Sequence, residues 1–309
     1  MPELPEVETV VRGLRLSLPG RAIIEARFGK TDFVDNPGEI AERLPGMRIL
    51  DVTRLGKFIC IGLEGGTPNG APGDSPSLLY FIVHLGMTGR LTVIPSGEAV
   101  PPHTHGFFIL DDGCELRYTD IRRFGRMLLI PESRLEEFTG QLGKEPLEIS
   151  AEEFCRSFGS RRARVKALLL DQRVLRGIGN IYADEGLFRA RLHPARIAEN
   201  LTRKQLLMLH KRVRQVLEEA ILSRGSSISD YVDSEGKRGE FQFRHRVYQR
   251  DGKPCLRCKT IIRRIIVAGR SSHFCPRCQP PPRKRKGSKS RLKPRMNTDK
   301  HRLKTKKKN

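Results

Sequence analysis

Four cysteines carry the clearest chemical signal in the chain. Cys255-x2-Cys258 and Cys275-x2-Cys278 form two pairs with 16 residues between them. Two such knuckles, folded back as a hairpin, present four thiolates in a tetrahedron suited to zinc. The stretch Thr260–Ala268 between them is rich in Ile and Val, as a hairpin strand would be. Four thiolates leave no open coordination position, so the expected metal is one structural zinc ion. Arg257, Arg263, Arg264, Arg270 and Arg277 surround it. They make either a phosphate-facing surface or a solvated basic face.

Two further clusters could do chemistry. The chain opens Met-Pro-Glu-Leu-Pro-Glu. Removal of Met1 would leave a secondary amine on Pro2, and an α-amino group titrates near about pH 8. A fair fraction is then nucleophilic at neutral pH without special activation. Glu3 and Glu6 stand beside it as a potential acid or base. On pattern alone, Pro and Glu at a helix start serve equally as capping residues. The other cluster is Gly177-Ile-Gly-Asn180, preceded by Arg161, Arg162, Arg164 and Lys166. Paired glycines let backbone N–H groups come close to a phosphate, although glycines between helices also simply end them.

These residues need a scaffold. A first helix is expected over about residues 4–16, with Val7, Val10, Val11 and Leu14 as one apolar stripe and Gly13 inside it. Eight β-rich runs follow: Ala22–Phe28, Arg48–Leu55, Phe58–Leu63, Leu78–Leu85, Gly89–Ile94, Phe107–Leu110, Glu115–Tyr118 and Met127–Ile130. Their spacing predicts a β-sandwich or barrel. Gly65–Ser77 reads as a flexible hairpin loop. Near residue 145 the pattern turns helical. Ser150-x-x-Glu153 opens a short helix, a basic helix spans Arg161–Asp171, and another runs from about Ile181 to Ala190. Thr202-x-x-Gln205 opens a last helix that Gly225 stops. Residues 226–246 are glycine-spaced and aperiodic, which predicts a mobile loop.

Composition bounds the function. The 309 residues hold 58 Lys and Arg against 35 Asp and Glu, a net +23. From Gln279 onward, 14 basic residues against one acid give +13, leaving +10 on residues 1–278. A field of this sign favours polyanions, nucleic acid first and an anionic membrane surface second. No apolar run approaches the roughly 18 residues of a membrane span, and the N-terminus lacks the order of a signal peptide. Cytoplasmic residence with reduced thiols is the expectation. Cys60, Cys114 and Cys155 are then expected as small core hydrophobes.

Several blocks, in order, resemble the formamidopyrimidine-DNA glycosylase family. They are the opening Met-Pro-Glu-Leu-Pro-Glu-Val-Glu-Thr, Leu55-Gly-Lys57, His84-Leu-Gly-Met-Thr-Gly89, Tyr118-Thr-Asp-Ile-Arg-Arg-Phe-Gly125, Gly177-Ile-Gly-Asn-Ile-Tyr-Ala-Asp-Glu185 and Gly269-Arg-Ser-Ser-His-Phe-Cys-Pro-Arg-Cys278. The resemblance implies a multidomain α+β fold. An eight-stranded β-sandwich with an N-terminal helix would span 1–133, and a helix–two-turns–helix DNA-binding domain 145–225. A loop at 226–246 would cap the lesion, a four-cysteine zinc finger would span 247–279, and 280–309 would be a disordered basic tail. The implied enzyme is a monomer that removes oxidised purines from double-stranded DNA and then cuts the strand as a lyase. It needs one structural zinc, no organic cofactor and no membrane.

Residue by residue, the resemblance makes Pro2 the nucleophile, Glu3 the proton donor and Glu6 a residue that orders the N-terminus. Lys57 becomes a proton donor and phosphate contact, and Arg270 a phosphate ligand for the second elimination. His84, His103, Arg122, Arg161, Lys166 and Asn180 are implied DNA contacts. A base inside a duplex must be flipped out and its gap filled, a task implied for Met87, Arg122 and Phe124. By pattern alone, Met87 and Phe124 read equally well as core residues. A sibling enzyme that prefers oxidised pyrimidines, of endonuclease VIII type, remains an alternative, as does a non-catalytic zinc-containing DNA-binding protein. The basic tail is expected to tether DNA without reading it. Deleting Pro280–Asn309 should flatten the slope of log affinity against log salt, and a lowered single-turnover rate at saturation would refute that reading.

Overall fold

The computed structural model describes residues 1–65, 77–228 and 231–282. Most of the expected 65–77 loop and of the expected tail from 280 therefore lies outside the described residues. Two four-stranded antiparallel sheets form the first half, with strand orders β2-β3-β4-β8 and β1-β6-β7-β5. The strands are β1 (Ile23–Phe28), β2 (Arg48–Leu55), β3 (Phe58–Gly65), β4 (Ser77–His84), β5 (Arg90–Pro95), β6 (Thr104–Leu110), β7 (Cys114–Thr119) and β8 (Arg126–Pro131). Each predicted run is a strand, within a few residues.

Strand β3 is nearly all apolar because it is covered on both faces. Ile59, Ile61 and Leu63 face the core between the sheets. Cys60, on the other face, packs with Ile82 and Ile130 under Leu135 and Phe138. The short helix α3 (Leu135–Gly140) thus covers the outer face, and both sides of β3 are buried. Cys60 is a core residue as expected, while Cys114 and Cys155 are only half-buried. Helix α2 (Pro37–Arg43), which buries only Ile40, was not anticipated.

Helix α1 (Leu4–Ser17) joins the two halves. Val7, Val10, Val11 and Leu14 lie in the sheet core, whereas Leu4 belongs to the helical core that follows. The Leu4 amide donates to the Gly177 carbonyl at 2.9 Å. Gly13 is explained by contact: a Cβ there would strike Ser234. Arg54 makes a second tie. Its guanidinium forks onto Glu145 at 2.9 and 3.0 Å and reaches Glu8 at 2.9 Å, so β2, α1 and the entry to the helical half are held together.

The helical half contains α4 (Ala151–Gly159), α5 (Val165–Leu170), α6 (Asn180–Arg189) and α7 (Arg203–Leu222). Ser150 caps α4 through the Glu153 amide, and Thr202 with Gln205 forms the full capping box of α7. The basic helix expected from Arg161 is shorter. Arg161 and Ala163 give their carbonyls to the amides of Glu199 and Ala198, so this stretch runs extended and α5 begins only at Val165. The segment 226–246 also departs from expectation. Its described residues are packed, with Tyr231, Phe241 and His245 buried, and the Tyr231 hydroxyl donates to the Glu6 carbonyl. Hydrophobic periodicity misses it because its order comes from side-chain hydrogen bonds. The last unit is a hairpin of β9 (Arg263–Val267) and β10 (Arg270–Phe274).

Candidate active site

Glu3 lies in the seam between the halves, 3% exposed, at the N-terminus of α6. Its carboxylate accepts from the amides of Gly179 at 2.8 Å, Ile181 at 2.9 Å and Tyr182 at 3.4 Å. Those amides are otherwise unpaired donors at a positive helix end. Gly179 makes this possible, because a Cβ there would collide with the Glu3 carboxyl. The paired glycines of this turn therefore make room for the N-terminus. Pro2 is buried beside Glu3, while Met1 is 48% exposed and open to removal.

Glu6 is buried one helical turn on. It accepts from the Glu3 amide at 2.8 Å, from the Ser226 amide at 2.6 Å and from the Tyr182 hydroxyl. Burial, then the neighbouring Glu3 charge, push its carboxyl up to about 7. Once protonated, Glu6 can donate to Tyr182, whose hydroxyl lies 3.5 Å from Ser226 Oγ, itself 3.0 Å from His245 Nε2. Burial draws His245 down to about 4, so it stays neutral and can accept. Tyr182, Ser226 and His245 escaped the sequence reading, since nothing local marks a relay made of three separate segments.

The Glu6 shift has a stability consequence. The unfolded chain loses this proton near 4.5 and the folded chain near 7, so Glu6 favours folding below 4.5 and that contribution is lost as pH rises to about 7. A Glu6→Gln chain should lose that part of the pH dependence between pH 5 and 7 in urea titrations. An unchanged slope would exclude the assignment.

Lys57 sits in the β2–β3 turn, 8% exposed. Burial lowers its ammonium, opposed by the charges of Glu3 and Glu6 and reinforced by Arg270. Burial likewise raises Glu3, against the pull of Lys57 and its three amides. The two shifts bring the carboxyl and the ammonium closer in proton affinity, as suits exchange of a proton between them. Arg270, exposed, begins β10 after the two-residue turn Ala268-Gly269, and its charge acts on Lys57. His84 is drawn down to about 4 by burial and by Lys57. Its Nδ1 accepts from the Gly86 amide at 3.1 Å, which leaves Nε2–H as a neutral donor.

Lys166 corrects the sequence expectation of a DNA contact. Its side chain is 0% exposed, and Nζ donates to Asp184 and to the Ser271 carbonyl, both at 2.7 Å. Asp184 also accepts from the His273 amide at 2.9 Å and lies 3.0 Å from His273 Nδ1. This ion pair locks α5, α6 and β10 together one residue from Arg270. Lys166→Met should cost about 3–5 kcal/mol by stranding Asp184. A variant that kept full stability, yet lowered the salt slope of DNA binding by about one, would restore the phosphate role.

The three expected gap-filling residues form one exposed group. Met87 is 38% and Phe124 55% exposed, and the Arg122 guanidinium lies 4.5 Å from the Phe124 ring centroid. Buried Asp120, not singled out beforehand, holds their loops. It accepts from Tyr118 at 3.0 Å, Gly125 at 3.0 Å, Arg122 at 3.2 Å and Thr88. Met87 and Phe124 thus stand exposed on loops held by one buried carboxylate. His103 and Arg161 are exposed. Asn180, half-buried, opens α6 with its Oδ1 lacking a partner among the described residues.

The four cysteine sulfurs lie within 4.8 Å of one another. Cys258 Sγ is 3.4 Å from that of Cys275 and 3.5 Å from that of Cys278, near the edge of about 3.8 Å that a zinc tetrahedron needs. Backbone amides of Arg257 and Cys278 point at Cys255 and Cys275 at 3.4 Å, as suits thiolates. The buried cluster here is small, with Phe188, Val247 and Ile262 beside Cys255 and Cys275, so a metal would supply much of the unit's stability.

Three family profiles match the chain in order. They are the formamidopyrimidine-DNA glycosylase N-terminal domain over residues 1–127, its H2TH domain over 142–232, and a zinc finger found in FPG and IleRS over 252–281. Together with the four-cysteine geometry, the last is compatible with one structural zinc ion. A formamidopyrimidine-DNA glycosylase of Solibacter usitatus is 47% identical over 285 residues, covering 90% of this chain and 99% of the relative. That of Heliobacterium modesticaldum is 45% identical over 289 residues, covering 90% and 100%. Among solved structures, Lactococcus lactis Fpg in complex with DNA containing an abasic site superposes with a TM-score of 0.81 at 30% identity, over 90% of this chain and 100% of that one. A point mutant of that relative has been solved with DNA containing Fapy-dG, and the wild type with DNA containing an oxidised pyrimidine. The chain belongs to the formamidopyrimidine-DNA glycosylase family.

Proposed function

We propose that the chain removes oxidised purines, 8-oxoguanine and formamidopyrimidines, from duplex DNA through a Schiff base on Pro2, then cleaves the strand by β,δ-elimination. It is a base-excision repair glycosylase acting on damaged DNA. The observation that carries the residue assignments is Glu3 beside Pro2, seated on the α6 N-terminus with Lys57 close enough for their charges to act on each other. The Pro2 amine attacks the sugar C1′ as the base leaves. The C1′–O4′ bond then breaks, the ring oxygen taking a proton. The iminium left on the opened sugar makes the neighbouring C2′ proton acidic, so the two phosphates can be expelled in turn by β- and then δ-elimination. Glu3 supplies the proton as general acid, Lys57 is a further proton donor and phosphate contact, and Arg270 binds phosphate for the δ-elimination. Glu6 orders the N-terminus.

His84, His103, Arg122, Arg161 and Asn180 are the proposed DNA contacts, and Met87, Arg122 and Phe124 fill the gap. Residues 1–133 are assigned to catalysis, 145–225 to DNA binding, 226–246 to covering the flipped base, 247–279 to the zinc finger and 280–309 to tethering. Cysteines 255, 258, 275 and 278 hold the zinc, which supplies no reaction step. No helix among the described residues is long and apolar enough to cross a membrane. Residence in the cytoplasm, on DNA, follows from this function, and fractionation with membranes would contradict it.

A second reading, excision of oxidised pyrimidines, is supported by the Lactococcus lactis complex with DNA of that kind. Single-turnover cleavage of 8-oxoguanine opposite cytosine, against thymine glycol opposite adenine, separates the two. The purine substrate should react at least tenfold faster, and the reverse ranking would replace the first reading by the second.

A further inference from the structure

At the end of α6 away from Glu3, a recess of about 460 Å³ opens between α6, α7 and the first zinc knuckle. Its walls carry Arg189, Arg191, Arg212, Arg246 and Arg257. One carboxylate, Glu219, faces them, and Arg189 already holds it at 2.7 Å. Arg212 donates to Gln215 at 2.8 Å, yet its Nε is buried without a partner. The Arg257 guanidinium carbon lies over the Phe188 ring, 4.7 Å from its centroid. Neither Arg191 nor Arg246 has an acidic side-chain partner among the described residues.

Five guanidinium groups around one recess repel each other, and the negative end of α6 accounts for one or two of them. Arg191 closes α6 as the left-handed residue of its C-terminal turn, with its amide on the Phe188 carbonyl at 3.1 Å and the Leu192 amide on that of Leu187 at 3.0 Å. The Arg191 φ of 57° lies in the left-handed region, where glycine would sit without strain. An arginine held there keeps a cation over the recess at the expense of the backbone. A neighbouring recess of about 410 Å³ shares Arg191 and Arg257 and adds Arg277 beside Cys258 and Cys278, so the arginine surface continues along the knuckles.

We propose that this groove docks an acidic peptide segment of a partner protein. The occupant must be anionic, which excludes the chain's own terminal stretch at net +13. No ring is offered for base stacking, since Phe188 is 2% exposed and covered by Arg257, so single-stranded nucleic acid loses its usual contact. Duplex DNA presents the outside of a cylinder, and a recess between two helices and a knuckle admits a chain segment more readily than a rod. Carboxylates match the guanidinium fork, and Leu256, 45% exposed on the wall, adds an apolar contact. The ten residues of α6 put the groove about 14 Å along its axis from Glu3, so the occupant leaves the reacting atoms free. This inference does not depend on the glycosylase reading.

The test uses full-length, zinc-loaded protein and a fluorescein-labelled decapeptide of Asp, Glu and Leu, followed by anisotropy. Binding should saturate and weaken at least tenfold in Arg191→Glu/Arg212→Glu. It should change less than twofold in the charge-matched control Arg43→Glu/Arg134→Glu. Arg191→Gly relieves the backbone, so it should weaken peptide binding at least threefold with an unchanged or raised Tm. Saturated cleavage of a lesion duplex should be the same in all of these chains, which keeps the two functions separately testable. Equal weakening in the groove variant and the control would reduce the site to general surface charge and overturn the proposal. So would displacement of the peptide by lesion-free duplex, with the groove variant losing duplex affinity by the same factor, because the recess would then belong to DNA backbone.

Discussion

A chain that retains Met1, verified by mass, is expected to give no borohydride-trapped complex with lesion DNA. The retained residue converts the Pro2 secondary amine into a peptide nitrogen, whose lone pair is delocalised and cannot attack a sugar carbon. Folding should be unaffected, because Met1 is 48% exposed and the buried contacts begin at Pro2 and Glu3. Excision and cleavage should fall by on the order of 1,000-fold or more, with DNA affinity within a few-fold of the processed chain. This separates loss of the nucleophile from loss of the site. Full strand cleavage by a chain shown to carry Met1 would end the proposed mechanism.

Zinc removal should act through a different part of the molecule. The unit that holds Arg270 buries only a few apolar side chains, among them Phe188, Val247 and Ile262, too few to order a hairpin. Chelation should release one zinc per chain and melt β9 and β10. Arg263, Arg264 and Arg270 would leave their places together, a loss of roughly 100-fold in affinity for a lesion duplex if each contributes about 1 kcal/mol. The sheets should survive, since their core shares no residue with the hairpin. Unchanged affinity after confirmed zinc release would mean that the hairpin is not a DNA clamp.

How far the chain can be read without its structure depends on where each residue's partners lie. All eight strands follow from β-rich runs separated by turn residues, and the zinc knuckles from spacing alone. Pro2 and Glu3 are different. Their pattern is equally that of a helix cap, and the catalytic reading came from family resemblance. What sets Glu3 apart is its seat on amides 176 to 179 positions away, a contact no local pattern reports. Lys166 shows the converse error. A lysine in a basic run reads as a phosphate contact, yet α5 turns it inward onto Asp184, and only the partner's position reveals this. Asp120 and the relay through Tyr182, Ser226 and His245 were hidden for the same reason. The exposure of Met87 and Phe124 was ambiguous in sequence because a strand end and a loop tip look alike there.

The central claim is that the nitrogen of Pro2 becomes joined to the sugar of a damaged purine nucleotide. Borohydride reduction of the processed chain on a duplex with 8-oxoguanine opposite cytosine, followed by proteolysis and mass mapping, tests it directly. The account predicts one adduct per chain, on the N-terminal peptide at Pro2. An adduct on Lys57 or any other lysine, or efficient strand cleavage with no adduct at all, would contradict it.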